Sequence, residues 1–279
     1  MSRNKDRLGA HQPPPAEAPP QMAQKAFDPL SFVAPTEFVE LPSGGCYPEH
    51  HPLHGKDVLE IRYMTAKEED ILSSETLLRK GLAIERMLDS LIIDKNIKAH
   101  SLLVGDRNAL IIAARISGYG SNYLTQVVCP ACTTRDQFTF DLNEKKIHQS
   151  SEDEGLDLKK LSNGNFSTKV PFSGFQIEFR NLDGKDEQYL TKNAADRKKR
   201  KLSENALTEQ FKVMIVSIEG HSDPSVIRRY VDSMPTIDSR HLRACYKIAA
   251  PDVKVKNNFE CSSCGHQQEL EVPFNTDFF

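Results

Sequence analysis

Two pairs of cysteines carry the clearest chemistry in this 279-residue sequence. The pairs are Cys129-Pro-Ala-Cys132 and Cys261-Ser-Ser-Cys264, and a strand-like apolar run precedes each one. Residues of alternating character follow each pair, so the same zinc-knuckle hairpin is expected twice. Two knuckles supply four thiolates, the number that a tetrahedral structural zinc requires. We therefore predict one structural Zn²⁺ site in a split zinc ribbon formed by residues 129–142 and 256–274.

Such a site indicates architecture rather than catalysis, because four protein ligands leave no open coordination position for a substrate. Cysteine pairs with this spacing can also form disulfides or redox motifs, and both alternatives remain open. A redox pair is expected to open a helix in a βαβ unit, and neither pair does so. The sequence shows no signal peptide, so we expect a reducing compartment, which disfavours disulfides. His266 could replace one thiolate as a ligand.

Two further clusters have residue types that could bind something. Cys46, His50, His51 and His54 crowd one short stretch and could hold a second metal. The prolines and the glycine in that stretch favour a hairpin loop with exposed histidines instead. The run from Arg197 to Lys201 could bind phosphates. Carboxylates lie near this run and no aromatic residue interrupts it, so a solvated helix end is favoured, with an acidic protein partner next.

Composition excludes several classes of protein. The net charge of −3 argues against a protein that coats nucleic acid, which would be clearly basic. The hydrophobic content of 38% suffices for a core. No apolar stretch approaches the roughly 18–20 residues that span a membrane. We expect a soluble protein that folds in the cytoplasm and does not bind membranes.

The order of elements predicts one α+β body with a mainly helical character. Residues 1–36 form a proline-rich stretch that we expect to be a disordered tail, and residues 37–279 form the body. Hairpins are expected over residues 37–64 and 166–180, each followed by helices and then by a knuckle. A capping box at Thr65 begins the first helical region, and Gly81 divides it. The zinc ribbon would act as the clasp of this body.

Several details of this assignment can be checked against a structure. Residues 144–162 are polar and are expected to form a surface loop or a short helix. Leu207 to Ile218 is expected to be one amphipathic helix, and Ile237 is expected to face inward from the last helix. A further helix is predicted over residues 102–117, where Asp106 could be the helix cap and Arg107 could pair with a carboxylate.

No catalytic residue is predicted. Gly118-Tyr119-Gly120-Ser121 lacks the preceding strand and the following Gly-Lys of a phosphate-binding loop. No grouping of serine, histidine and carboxylate matches a nucleophile motif. We therefore expect a protein that is not an enzyme.

A set of short motifs resembles one known family. They are Leu41-Pro42-Ser43-Gly44-Gly45 with Tyr47-Pro48, residues 64–72, Leu103-Val104-Gly105-Asp106-Arg107-Asn108-Ala109, residues 116–120, the first knuckle, Met234-Pro235 with Asp238-Ser239-Arg240, and residues 261–279. Together they resemble the baseplate hub assembly proteins of T-even-like contractile-tailed bacteriophages. The resemblance covers about residue 37 to the C-terminus. Cys46 departs from the family pattern, which weakens the idea of a shared metal site there.

The resemblance implies a non-enzymatic protein that helps to build the central hub of a phage tail baseplate. It implies an assembly chaperone or a minor hub subunit, with hub or tape-measure proteins as partners. It places the protein in the host cytoplasm during assembly or in the virion tail. It also carries the role of zinc ligand onto the four knuckle cysteines. A zinc-ribbon module that binds nucleic acid is the alternative function, and a metal-dependent enzyme would need an open coordination position.

Overall fold

The fold is described from a computed structural model that defines residues 34–272 and 278–279. The expected disordered tail, residues 1–36, lies outside the described residues except at its end. Residues 273–277, which include the end of the predicted ribbon, lie outside them as well.

The described residues begin with a hairpin and continue into four α-helices before β3. Strands β1 (Thr36–Glu40) and β2 (Val58–Arg62) pair antiparallel, as predicted. They are followed by helices α1 (Ala66–Ser73), α2 (Glu75–Lys80), α3 (Ala83–Leu91) and α4 (Val104–Tyr119). The predicted division at Gly81 is confirmed, because Gly81 ends α2 with a φ of +67°, a backbone conformation that glycine adopts without steric cost.

The start of α1 is held by a buried glutamate. Glu68 completes the predicted capping box by accepting a hydrogen bond from the Thr65 amide at 3.0 Å. The Glu68 side chain is fully buried and pairs with both Arg62 guanidinium nitrogens, at 2.6 and 2.9 Å. The Ser90 hydroxyl donates to it at 2.8 Å. Glu68 therefore joins β2, α1 and α3.

The second half of the chain alternates strands with helices. Its strands are β3 (Asn122–Val128), β4 (Arg135–Asp141), β5 (Lys145–His148), β6 (Lys159–Lys160), β7 (Phe166–Lys169), β8 (Gln176–Phe179), β9 (Ile215–Ile218), β10 (Asp252–Glu260) and β11 (Gln267–Glu271). Its helices are α5 (Gly184–Lys199), α6 (Ala206–Met214), α7 (Pro224–Ser233) and α8 (Thr236–Ala249). Helix α7 begins at Pro224, and the carboxylate of its cap residue Asp223 accepts a hydrogen bond from the Ser225 amide.

The expectation of a mainly helical body is wrong. Of the residues that the structure describes, 39% are helical and 26% are strand, and the strands form several antiparallel sheets. Two of the sheets are the hairpins β1–β2 and β3–β4, a third has the order β11-β10-β5, and the fourth has the order β6-β7-β8-β9.

The strands β5 and β9 account for part of this difference. The polar segment 144–162 contains β5, in which Ile147 pairs with Val253 of β10, so it is not only a surface loop. Its pairing uses backbone groups, which leave no apolar pattern in the sequence. The predicted helix from Leu207 to Ile218 ends at Met214, and the β-branched run that follows forms β9 on the edge of β8. Ile237 is 56% exposed and does not face inward.

Two hydrophobic cores lie within one compact unit, Ala34–Phe279. The first core joins the β1–β2 hairpin, α3, α4 and the knuckle strands, with Leu110, Phe140 and Phe259 fully or almost fully buried. The second core joins the four-stranded sheet to α6, α7 and α8, and it contains Cys245 as a buried residue. The knuckle strands are thus part of the first core.

Helix α4 approaches the start of β10 very closely. A Cβ placed on Gly105 would lie 2.0 Å from the Pro251 carbonyl oxygen and 2.5 Å from its carbon. Only glycine fits this contact between two backbones. The contact fixes the strand that leads into the second knuckle against the first turn of α4.

Candidate metal centre

The first knuckle is the turn between β3 and β4. Val128 and Arg135 are the last paired residues of this hairpin. The Cys129 amide donates to the Thr134 carbonyl at 2.9 Å, and the Thr133 amide donates to the Cys129 carbonyl at 2.9 Å. These two bonds fold the turn so that both cysteines lie at the tip of the hairpin.

The second knuckle, between β10 and β11, repeats this pattern. The Cys261 amide donates to the His266 carbonyl at 2.9 Å, and the Gly265 amide donates to the Cys261 carbonyl at 2.9 Å. Gly265 and Thr133 occupy the same position in the two turns, with φ of +68° and +59°. A β-branched residue in this left-handed region costs about 1–2 kcal/mol relative to glycine. The prediction of one knuckle hairpin written twice is confirmed.

The two knuckles bring their four sulfur atoms together. All four Sγ atoms lie within 4.8 Å of one another. The Sγ atoms of Cys129 and Cys264 are 3.8 Å apart, and those of Cys132 and Cys261 are 3.6 Å apart. Each of these close pairs joins one knuckle to the other. A zinc with Zn–S bonds of about 2.3 Å places tetrahedral sulfur atoms about 3.8 Å apart. The donor set therefore fits a metal ion.

The same distances do not fit disulfides. A disulfide needs sulfur atoms about 2.05 Å apart, and all six cysteines of the chain are free. His266 does not join the sulfur group. Its Nε2 lies 3.4 Å from the Gln268 side-chain oxygen, and its backbone carbonyl is used by the turn.

Cys132 and Cys264 differ in their tendency to ionise. Hydrogen bonds with Thr134 and with Cys264 lower the pKa of Cys132 to about 6. A backbone hydrogen bond at His266 lowers the pKa of Cys264, but contacts with the other thiols outweigh it and raise the value to about 12. These opposite shifts favour the thiolate at Cys132 and the protonated thiol at Cys264. A bound dication would displace the remaining protons, so metal affinity should fall in acid.

The hairpins are also held together without the sulfur atoms. The Ser262 amide of the second knuckle donates to the Asp136 carboxylate of β4 at 3.1 Å. The Phe138 and Phe259 rings meet edge-to-face at 5.5 Å. Cys129 and Cys261 are buried, whereas Cys264 is exposed. The protein therefore positions the ligands from inside the core and leaves one side open to solvent.

The second metal cluster considered from the sequence does not converge. The Cys46 thiol faces the Gly164 carbonyl at 3.9 Å. His51 stacks on Tyr47 with 4.3 Å between ring centroids, and His54 Nδ1 lies 2.6 Å from the Tyr47 carbonyl. Over residues 34–272 and 278–279, the knuckle cysteines are the one group of this kind that could hold a metal ion.

Comparison with known proteins gives one match. A family model described as T4 bacteriophage base plate protein matches residues 35–279. This chain belongs to that family. Neither the curated proteins nor the solved structures give a match. Membership indicates a phage tail baseplate protein that interacts with other tail proteins.

Two of those motifs meet in the core of this baseplate protein. Asp106 is fully buried, and its Oδ2 accepts from the Ser43 and Tyr47 hydroxyls, each at 2.6 Å. Its Oδ1 accepts from the Ser43 amide at 2.9 Å. The Tyr47 hydroxyl in turn accepts from the Leu103 amide at 3.0 Å. Burial raises the pKa of Asp106 despite these hydrogen bonds.

This arrangement corrects the prediction for Asp106. The residue lies in the first turn of α4, but Leu103 occupies the cap position and Asp106 binds the loop between β1 and β2 instead. Sequence motifs that are far apart gave no signal that they touch. Arg107 pairs with Glu187 of α5, as expected for a carboxylate partner.

The basic run forms the end of α5 in this baseplate protein. The Lys201 amide donates to the Lys198 carbonyl at 3.1 Å, and the Leu202 amide donates to the Arg197 carbonyl at 3.0 Å. These two bonds form a Schellman motif with Lys201 at the left-handed position, φ +53°.

None of the helices in the described part of the chain combines the length and the apolar character of a membrane span.

Proposed function

We propose that this baseplate protein holds one structural Zn²⁺ through Cys129, Cys132, Cys261 and Cys264. The support is the sulfur geometry, since distances of 3.6 and 3.8 Å match a tetrahedral thiolate site and not disulfides. Metal analysis of the purified protein tests this. One zinc equivalent per chain is expected, and its loss from the Cys261→Ser variant is expected as well.

We further propose that the protein is a non-enzymatic hub assembly factor or a minor hub subunit. Hub or tape-measure proteins would be its partners. The single observation that carries this is the family match, which covers residues 35–279 and so nearly the whole described chain. A four-ligand zinc would serve the architecture of the protein, because it offers no position for a substrate.

Mass spectrometry of purified particles and of infected-cell lysate tests this role. A fixed small ratio to other hub proteins in the particle is expected for a permanent subunit. Abundance in the lysate and absence from particles is expected for an assembly chaperone that leaves before the tail is complete. A protein that associates with no tail protein in either sample would contradict both forms of the proposal.

A further inference from the structure

The exposed side of α5 combines cations with apolar side chains. Tyr189 and Leu202 are 52% and 50% exposed, although both are large and apolar. They line one surface hollow of about 350 Å³ together with Lys192, Arg197 and Arg200. We call this hollow the α5 patch. Large exposed apolar patches with a polar rim mark interaction sites, and the α5 patch has this composition on a small scale.

The charge of the α5 patch is not balanced from within the protein. Three cations line it against one carboxylate, Asp196, which faces Lys199 at 3.9 Å. Lys192 and Arg200 form no ion pair with any residue that the structure describes. The patch is thus a positive site on a chain whose net charge is −3.

Stabilisation of the helix does not account for all of this charge. Cations near a helix C-terminus are favourable, but the effect falls off within the last turn. Helix α5 ends at Lys199, so Lys192 lies well before its last turn. The Tyr189 ring is half exposed beside Lys192, so it gains little from burial within the fold. A binding role explains both residues.

We propose that the α5 patch binds an acidic amphipathic helical segment of a partner protein. An apolar side chain of that segment would lie between Tyr189 and Leu202, and its carboxylates would face Lys192 and Arg200. Helical segments that dock in grooves carry apolar anchors three, four and seven residues apart, which suits a hollow along a helix. This proposal rests on the proposed assembly role, and it names the surface through which the protein would bind a partner.

Peptide binding to the full chain tests this surface directly. The probe is a fluorescent peptide of about 18 residues, long enough to form a helix, with leucines at that spacing and glutamates beside them. A matched peptide carries glutamine for each glutamate. We expect saturable binding of the acidic peptide at low salt, weaker binding at high salt, and weaker binding of the neutral peptide.

Variants locate the binding site on the protein. Lys192→Glu with Arg200→Glu is expected to weaken binding at least about tenfold. Tyr189→Ala is expected to weaken it about fivefold. The matched control is Lys67→Glu with Lys80→Glu, which makes the same charge change on exposed residues elsewhere and should leave affinity unchanged. Unchanged melting temperatures show that each variant is folded.

Three results would overturn the proposal. One is no binding of the acidic peptide at low salt, and another is equal binding to the double variant at residues 192 and 200. The third is tighter binding of a single-stranded oligonucleotide that depends on the same two cations, which would assign the patch to nucleic acid. Mass spectrometry of purified particles tests the assembly role separately. If the protein is found in the tail but its α5 patch does not bind the acidic peptide, only the proposal for this surface is refuted.

Discussion

Removal of the metal should weaken this protein without unfolding it. The knuckle strands belong to the first core, where Phe140 and Phe259 are buried by packing against apolar side chains. Strand β10 is also held by β5 and by the close contact of Gly105 with Pro251. Loss of zinc should therefore loosen the two turns first. It should lower the free energy of unfolding only by the amount that zinc binding adds to the folded state.

The stabilisation by bound zinc follows from mass action. If free zinc exceeds the dissociation constant about 1,000-fold, binding stabilises the folded state by about 4 kcal/mol. For a domain of about 250 residues, each kcal/mol shifts the melting temperature by about 2–4 °C. We therefore expect a chelator to lower the melting temperature by about 8–16 °C, with the protein still folded at room temperature.

Cys261→Ser and Cys46→Ser form the matched pair for this measurement. Both remove one thiol, but Cys46 lies outside the sulfur group and faces only the Gly164 carbonyl. Scanning calorimetry with and without chelator should show a zinc-dependent shift in wild type and Cys46→Ser, and none in Cys261→Ser. A Cys261→Ser protein that keeps one full zinc equivalent would refute the four-thiolate site, as would a wild type whose melting ignores both zinc and chelator.

Three other predictions concern the body of the protein. Gly105→Ala forces a Cβ into the Pro251 carbonyl and should lower the free energy of unfolding, measured in urea, by about 3 kcal/mol. Gly118→Ala in the same helix meets only the flexible Met64 side chain and should lower it little. Equal losses of stability in the two variants would contradict the close contact. Burial raises the pKa of Glu68, but its hydrogen bonds outweigh this and lower it to about 2 from 4.5, so about 2–3 kcal/mol of stability present above the ordinary value should be lost as pH falls toward 2. Urea titrations of Glu68→Gln should lack this acid-dependent loss, and an identical pH profile would count against it. Lys201→Gly should raise stability by about 1 kcal/mol, because glycine adopts the left-handed conformation at this helix end without strain; a lower melting temperature would show that the lysine side chain contributes to the fold.

The sequence predicted the cluster of four cysteines well because its information is local. Each knuckle is a short turn with a strand on either side, and the spacing of the cysteines defines the chemistry. That the two knuckles meet was inferred from the ligand count alone, and the crossed sulfur contacts agree with it. The capping box at Thr65 and the turn at Gly81 are local signals in the same way, and both were predicted correctly.

The errors arise where pairing with a distant segment decides the structure. The segment with β5 is polar, and only its backbone bonds to β10 make it a strand. The residues from Ile215 continue a helical apolar pattern, but they pair with the edge of β8 and form strand β9 instead. The buried partners of Asp106 lie in a loop about 60 residues earlier, so neither motif alone predicts the contact. These two strands account for part of the strand content that a mainly helical body lacks.

The positions of these contacts suggest why a metal would be useful here. Gly105 and Asp106 are neighbours at the start of α4, and they hold the start of β10 on one side and the loop after β1 on the other. The sulfur group lies at the far end of β10, beyond Phe259. The strand is therefore anchored at its start by backbone packing and would be anchored at its end by zinc. Since packing at the start does not depend on metal, loss of zinc should free the knuckle turns while the interlocked motifs of the family persist.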